Sequence, residues 1–413
     1  MTLRRATRRI AIVTHGSEAG GGVPTVASWL RDALRSTGDY TVDMHDLATA
    51  RDDPRSRRLA VPRSWCRRSL YQEPDPETSV HRWGANATEL EVMRYRPRRE
   101  LSAVLRKYDL IQVVSGTPAW AAAVHAVGVP VALQFATLVA WERESATPAS
   151  GSLMRGWHGA MTRATTRIEA SAIRRAGALL VENSVMLRHV ATVGRPDAVK
   201  AAPGVDTAYF TPAPGGWQRT GYLLSVSRLG DPRKGLDRMI HVYANLACAY
   251  NGTPPLVLAG RGTLSSSVMR LIAERGLQSR VIVRSDVAPG DLVRLYQGAA
   301  VFLQTSHEEG LGMSVLEAMA CGIPVVATRT HGTAETVVDD VTGSLVSQDE
   351  ATRRPQVVAG RIRTLLEGDG ALFGMRGRHR CEREFSSPVA LRRFTGSYDA
   401  LLRAERPAAL TIA

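Results

Sequence analysis

The sequence predicts an α/β protein made of two Rossmann-like, doubly wound domains facing one another across a cleft. Three observations predict this. The chain has 413 residues, too many for one ordinary core and enough for two domains of about 200 residues each. It opens with an apolar strand, a glycine-rich turn and an amphipathic helix, the usual start of a doubly wound domain. A second strand–helix series begins after a turn-rich stretch near residue 212.

Each element follows from local pattern. Ile10–Thr14 is a short apolar run ending in the glycine-rich stretch Gly16–Pro24, and Val26, Trp29, Leu30, Ala33 and Leu34 then fall on one helical face. Residues 51–100 carry many prolines and arginines and few apolar runs, so they read as a mobile or irregular insert ending in a helix near Arg98–Lys107. Alternation resumes with strand Leu110–Val114, an alanine-rich helix from Pro118 and strand Val129–Leu133. Residues 153–176 read as a long helix and Ala178–Val181 as a buried strand. The stretch Ala202–Phe210 is turn-rich, and Pro212–Gly216 reads as a linker. Strands Tyr222–Val226, Leu256–Ala259, Val281–Val283, Val301–Leu303 and Pro324–Ala327 follow. The expected division is therefore 1–205 for the first domain, 216–385 for the second, and 386–413 for a C-terminal helix packing back toward the first domain, with a tail.

Composition narrows the function classes. Hydrophobic residues at 44% and charged residues at 22% are the balance of a globular chain, which excludes wholesale disorder. Net charge is +14, but only Lys107, Lys200 and Lys234 are lysines among 53 basic residues. Such one-sided arginine usage points to a GC-rich coding bias more than to a nucleic-acid face, and no nucleic-acid motif is present. Cys66, Cys248, Cys321 and Cys381 lie far apart without zinc spacing, so reduced thiols and no structural metal are expected. The longest apolar candidate for a membrane span, Ala119–Leu133, is interrupted by His125, Gly128 and Pro130. The apolar stretch Ile10–Val13 is too short for a signal peptide, and a cytoplasmic location is expected.

The densest chemical signal is the run Ser306–Ala327. Glu317 sits among Val315, Leu316, Ala318, Met319 and Ala320, where a carboxylate is costly unless hydrogen-bonded. Gly310 and Gly312 leave backbone amides bare at the start of that helix, which suits phosphate. Glu309 precedes the turn and is placed to accept hydrogen bonds from a polyol. An ordinary helix with an acidic residue at its start accounts for Glu309 but not for Glu317. The second signal is Ser225–Gly235, where Arg228 and Lys234 follow a strand end. Two cations there suit a diphosphate, with Arg233 as a stand-in for Lys234 and a solvated turn as the competing reading. The third is Gly20–Gly22 before the first helix. Its glycines let backbone approach an anion, although any first turn of an α/β domain can carry them.

Together these segments resemble family four of the retaining nucleotide-sugar glycosyltransferases, which have the GT-B fold. Glu309 and Glu317 keep that family's two glutamates with seven residues between them, followed by an alanine/methionine helix, a glycine and Pro324-Val-Val. The resemblance is specific over about 220–345 and loose over 1–200. It implies that Glu309 contacts donor-sugar hydroxyls, that Glu317 holds the ribose, and that the amides around Gly312, Met313 and Ser314 touch the phosphates. It implies that Arg228 and Lys234 form the diphosphate clamp and that Gly21 and Gly22 approach the donor. Gly260, in Gly260-Arg-Gly262, takes the place of a turn lining the nucleotide, with Arg261 standing where that family usually has an acid. His331–Glu335 and Asp340–Gly343 look like its closing motifs, and Pro203–Thr207 matches a structural turn. Many members carry a histidine where this chain has Ala136, so either the sugar pocket is reshaped, or Gln134 or Thr137 substitutes, or the loop is displaced. Trp141–Glu144 is either an acceptor-side loop or a solvated one.

The resemblance implies transfer of a sugar from a nucleotide-diphosphate donor with retention. No nucleophile and no Asp-x-Asp pair at a strand end offers itself, so no metal and no cofactor beyond the donor co-substrate are expected. The expected acceptor is a small molecule such as a natural product or sugar conjugate. The alternative is a lipid-linked or cell-envelope acceptor used at an anionic membrane surface, for which the arginine-rich segment Met154–Arg175 with Trp157 and Met161, and the cluster Arg94, Arg96, Arg98 and Arg99, are the candidates. A non-enzymatic, nucleic-acid-binding module is the third class; no nucleic-acid partner is expected.

Overall fold

The computed structural model describes residues 7–17, 21–74, 79–144 and 152–404. The chain divides into two compact units, Met1–Pro203 with Ala390–Ala413, and Gly204–Val389.

The first unit is built on an eight-stranded sheet in the order β3-β4-β2-β1-β5-β6-β7-β8. Its strands are β1 (Arg8–His15), β2 (Tyr40–Leu47), β3 (Tyr71–Gln72), β4 (Val80–Trp83), β5 (Leu110–Ser115), β6 (Val131–Phe135), β7 (Ala178–Val181) and β8 (Val199–Lys200). All neighbours are parallel except β3 and β4. Strand β1 is apolar on both faces: Ala11 and Val13 enter one core, Ile10 and Ile12 the other. Helix α1 (Gly22–Ser36) covers the second face through Val26, Ala27, Leu30 and Leu34. The C-terminal helix Ser387–Ala404 joins the same layer through Phe394, Tyr398 and Leu401. Tyr398 Oη donates to the buried Gln112 Oε1 at 2.8 Å, and Arg8 pairs with Asp399 at 2.6 Å.

Three local expectations are corrected. Residues 51–100 are largely turns and bends, but they are not only an insert: Tyr71–Gln72 and Val80–Trp83 supply β3 and β4 to the sheet. These strands are short and polar, and a buried ring cluster holds them. His45 stacks on His81 (centroids 4.8 Å), Trp83 Nε1 donates to His45 Nδ1 at 3.2 Å, and Tyr71 packs on Trp83 at 4.7 Å. The alanine-rich stretch after Pro118 is a short 3-10 segment, Pro118–Ala123, and not a longer helix; its small side chains lie flat on the core. The segment containing Trp141–Glu144 is not a loop but a helix, α2 (Val139–Glu144). The long helix α3 (Ser152–Arg175) follows it.

The second unit has a six-stranded, wholly parallel sheet in the order β11-β10-β9-β12-β13-β14. Its strands are β9 (Tyr222–Val226), β10 (Leu256–Gly260), β11 (Val281–Ser285), β12 (Ala299–Gln304), β13 (Val325–Thr328) and β14 (Ser344–Val346). Strand order reverses between β9 and β12. The loops leaving their carboxyl ends therefore run to opposite sides and open a crevice there. Helix α4 (Leu236–Ala249) follows the β9 loop, and helix α5 (Met313–Ala320) follows the β12 loop.

Candidate active site

In the second unit the loops after β9 and β12 are locked together by backbone. Gly235 has φ +60, and a Cβ on it would stand 2.3 Å from the Thr305 carbonyl oxygen. Thr305 Oγ1 donates to Gly235 O at 2.8 Å, and the His307 amide donates to Arg233 O at 2.8 Å. This register delivers Lys234 to Glu309, with Nζ donating to Oε1 at 2.6 Å. Ser306 Oγ at 2.8 Å and Gln304 Nε2 at 3.2 Å donate to the same oxygen. Among the described residues no hydrogen bond reaches Glu309 Oε2. The pair is mostly shielded, with side-chain exposures of 18% for Lys234 and 12% for Glu309. At most one of the three ammonium hydrogens is committed to Glu309, so the others remain for an anion.

Arg228 lies on the same turn but is held differently. Its exposed guanidinium pairs with Asp231 Oδ2 at 2.6 Å, and Arg233 reaches that oxygen at 3.1 Å. The structure thus joins Lys234 to Glu309, and Arg228 and Arg233 to Asp231. Burial would raise the Asp231 carboxyl, but Arg233 and then Arg228 hold it below its ordinary range.

Helix α5 begins at Gly312, which has φ +85 and offers no side-chain cap. The amides of Met313 and Ser314 stand in the first turn, where no carbonyl of the helix can accept from them. Glu317 lies one turn further in. The fully buried Tyr296 donates to its Oε2 at 2.6 Å. Burial pushes the Glu317 carboxyl up to about 7, against the pull of that hydrogen bond. Gly332 closes the loop from below: its amide donates to Glu309 O at 2.9 Å, and a Cβ there would stand 2.5 Å from the Leu311 nitrogen. Gly260 answers a backbone demand. Its φ is +143, and a Cβ would stand 1.7 Å from Ser227 O, so the strand ends can meet only through glycine.

At the carboxyl ends of the first unit the polar groups are buried or half-buried. Gly21, with φ 117, precedes α1 without a side-chain cap, and a Cβ at Gly22 would meet nothing within 4 Å. Gly20, the first glycine of that run, lies outside the described residues. His15 ends β1, stacks on Trp120 (centroids 4.4 Å) and accepts from the Gly116 amide at 2.8 Å. Burial pushes it down to about 4, so it is neutral. The Thr137 amide donates to Gly116 O at 2.8 Å, and Thr137 is half-buried. Gln134 turns inward instead. It is 1% exposed, and its Nε2 donates to Glu182 Oε1 at 3.4 Å. Burial raises Glu182 to about 8. In α2, Arg143 is tied to Glu91 Oε2 at 2.5 Å and to Thr162 Oγ1 at 2.5 Å.

A family model for glycosyl transferases group 1 matches residues 214–382, which takes in the whole Lys234–Glu309–Glu317 assembly. The chain is a glycosyltransferase. It is similar to a D-inositol 3-phosphate glycosyltransferase of Acidothermus cellulolyticus, 28% identical over 85% of this chain and 79% of that protein. A GDP-mannose-dependent phosphatidylinositol monomannoside mannosyltransferase of Mycolicibacterium smegmatis is 31% identical over 43% of this chain and 50% of its own. Among solved structures, Anabaena Alr3699/HepE in complex with UDP-glucose has a TM-score of 0.68 at 16% identity, covering 95% of this chain and all of that one (100%). Sucrose-phosphate synthase from Thermosynechococcus elongatus has a TM-score of 0.66 at 20% identity, covering 96% and 100%. These likenesses agree with the two-unit α/β architecture.

The glycosyltransferase also uses residues that sequence reasoning passed over. Arg238 in α4 is buried and contacts the His307 ring, and its Nη1 donates to Gln348 Oε1 at 2.8 Å. Gln348 Nε2 in turn donates to Ser306 O and Arg329 O, each at 3.2 Å. This network holds the peptide that carries Glu309. Its one signal in the sequence is a charge among Leu236, Met239 and Ile240, where a helix face should be apolar. Among the described residues no group of three or more His, Cys, Asp and Glu side chains is arranged to hold a metal ion, and no helix is long and apolar enough to cross a membrane.

Proposed function

We propose that this glycosyltransferase moves a sugar from a nucleoside-diphosphate donor to a small polyol or polyol phosphate, with retention and without a metal. The observation that carries the reading is the Lys234–Glu309 pair at the reversal of strand order, beside the bare amides of Met313 and Ser314. In this reading Glu309 Oε2 accepts from a donor-sugar hydroxyl. Lys234, Arg228 and the amides stabilise charge developing on the diphosphate, which is preorganised electrostatic catalysis. Glu317 accepts from the ribose hydroxyls. The bond from the anomeric carbon to the diphosphate oxygen breaks. The acceptor oxygen bonds to that carbon on the same face, and its proton passes to a phosphate oxygen of the departing nucleoside diphosphate. The similarity to an enzyme named for inositol 3-phosphate supports the acceptor class.

A thermal-shift screen of UDP-, GDP- and dTDP-sugars, followed by NMR of the product's anomeric centre with inositol phosphates among the acceptors, tests this. One nucleotide sugar should stabilise the protein and give a product of unchanged configuration. Activity should survive a chelator; an inverted product or strict dependence on added divalent ion would contradict the reading.

A further inference from the structure

The outer face of α3 plays no part in the site described above. This 24-residue helix carries a single acid, Glu169, which is buried and accepts from the Val139 amide at 2.9 Å. Arg155, Arg163, Arg167, Arg174 and Arg175 are all exposed. Among the described residues none of the five makes an ion pair or a side-chain hydrogen bond. Some exposed helical arginines elsewhere do have a local counter-charge, as Arg363 has Glu367 at 2.8 Å; what sets α3 apart is five such arginines on one helix with no exposed acid beside them.

At about 100° per residue, Arg163, Arg167 and Arg174 fall within roughly 40° of one another, in a stripe about 16 Å long. That stripe lies opposite the side that buries Thr165, Glu169 and Ala172. Gly156, Ala160, Ala170 and Ser171 lie on or beside it, so the arginines are its long side chains. A Cβ built on Gly156 or on nearby Gly159 would meet nothing within 4 Å, so the surface there is open. Trp157, 51% exposed, lies toward the amino-terminal end of the helix, about 100° round from the centre of the stripe, on its flank.

We propose that the outer face of α3 docks the protein on an anionic lipid surface. Uncompensated guanidinium groups match phosphate headgroups, each worth roughly 1 kcal/mol near such a surface. The small residues between them let the helix lie flat, and an exposed indole suits the boundary between headgroups and acyl chains. The inference does not rest on the transfer reaction.

The test is co-sedimentation of the full chain with vesicles of phosphatidylcholine alone or mixed equally with phosphatidylglycerol, at low and physiological salt. Wild type should pellet with the mixed vesicles only, less so as salt rises. The variant R163E/R167E/R174E should lose binding more than about tenfold. The charge-matched control R270E/R376E/R392E, altered at exposed arginines elsewhere, should keep most of it. Trp157→Ala should weaken binding about fivefold or less, by loss of the indole anchor. Thermal midpoints are compared first, and R163Q/R167Q/R174Q replaces the reversal if that variant does not fold. Equal pelleting with neutral vesicles, equal loss in the control, or preference for duplex DNA over mixed vesicles at physiological salt would overturn the proposal.

Discussion

The carboxyl ends of the two sheets solve the same problem with opposite electrostatics. In the second unit charges are kept and paired: Lys234 with Glu309, and Arg228 and Arg233 with Asp231. In the first unit the groups at the strand ends are neutralised by burial. His15 is pushed down to about 4 and Glu182 up to about 8, beside an amide, Gln134, as its hydrogen-bond partner. The lesson is a contrast: fixed, paired charges in the second unit, where we propose that the diphosphate is stabilised, and a neutral, polar framework in the first.

The sharpest way to break this contrast is at the backbone lock. Gly235→Ala should cost about 2–4 kcal/mol of stability, because a Cβ must displace the Thr305 carbonyl at a left-handed φ. Chemical denaturation measures it, and activity should fall further than stability because Lys234 and Glu309 lose their register. Next comes Lys234→Ala, which should lower kcat about 10²–10³-fold with the true donor while leaving the fold intact. Glu317→Ala should mainly raise the donor KM, by about tenfold, equivalent to about 1.4 kcal/mol of ribose contact. With wild type the donor KM should also rise as pH falls through about 7, where the Glu317 carboxylate takes up its proton.

The two carboxyls whose proton affinity is raised sharpen the comparison through stability. Both have a folded-state value raised above the ordinary 4.5, to about 7 for Glu317 and about 8 for Glu182. For a raised acid the folded state binds the proton more tightly. Its contribution is therefore fully present below pH about 4.5 and is lost as pH climbs through the folded value. Glu182→Gln should flatten the fall in thermal midpoint up to about pH 8, and Glu317→Gln the part that ends near pH 7. The smallest effect is expected for His15→Phe. It removes the acceptor for the Gly116 amide and should cost about 1–2 kcal/mol with little change in nucleotide affinity.

The parts of the molecule legible in its sequence were those written locally. The parallel strands of the second unit announce themselves as apolar runs, and Gly312 and Glu317 sit in one contiguous segment. The Lys234–Glu309 contact spans 75 positions and exists only because β9 and β12 are neighbours, which no local pattern states. Strands β3 and β4 escaped notice because Tyr71, His81 and Arg82 look like surface residues; the structure leaves all three half-buried, with the Tyr71 ring stacked on His81. Gln134, a pocket candidate by sequence, and Glu182 and Arg238, which no motif singles out, are all enclosed in the structure. Gly260 shows the converse: its glycine is fully explained by the Ser227 carbonyl, whatever ligand passes nearby.

The central claim is that Lys234 grips the diphosphate while Glu309 grips the sugar. Calorimetric titration of the preferred nucleoside diphosphate and its nucleotide sugar into wild type, Lys234→Ala and Glu309→Gln tests it most directly. Lys234→Ala should bind both ligands at least about tenfold more weakly, whereas Glu309→Gln should leave the diphosphate within about threefold and weaken only the sugar nucleotide. Unchanged diphosphate affinity in Lys234→Ala would contradict the account.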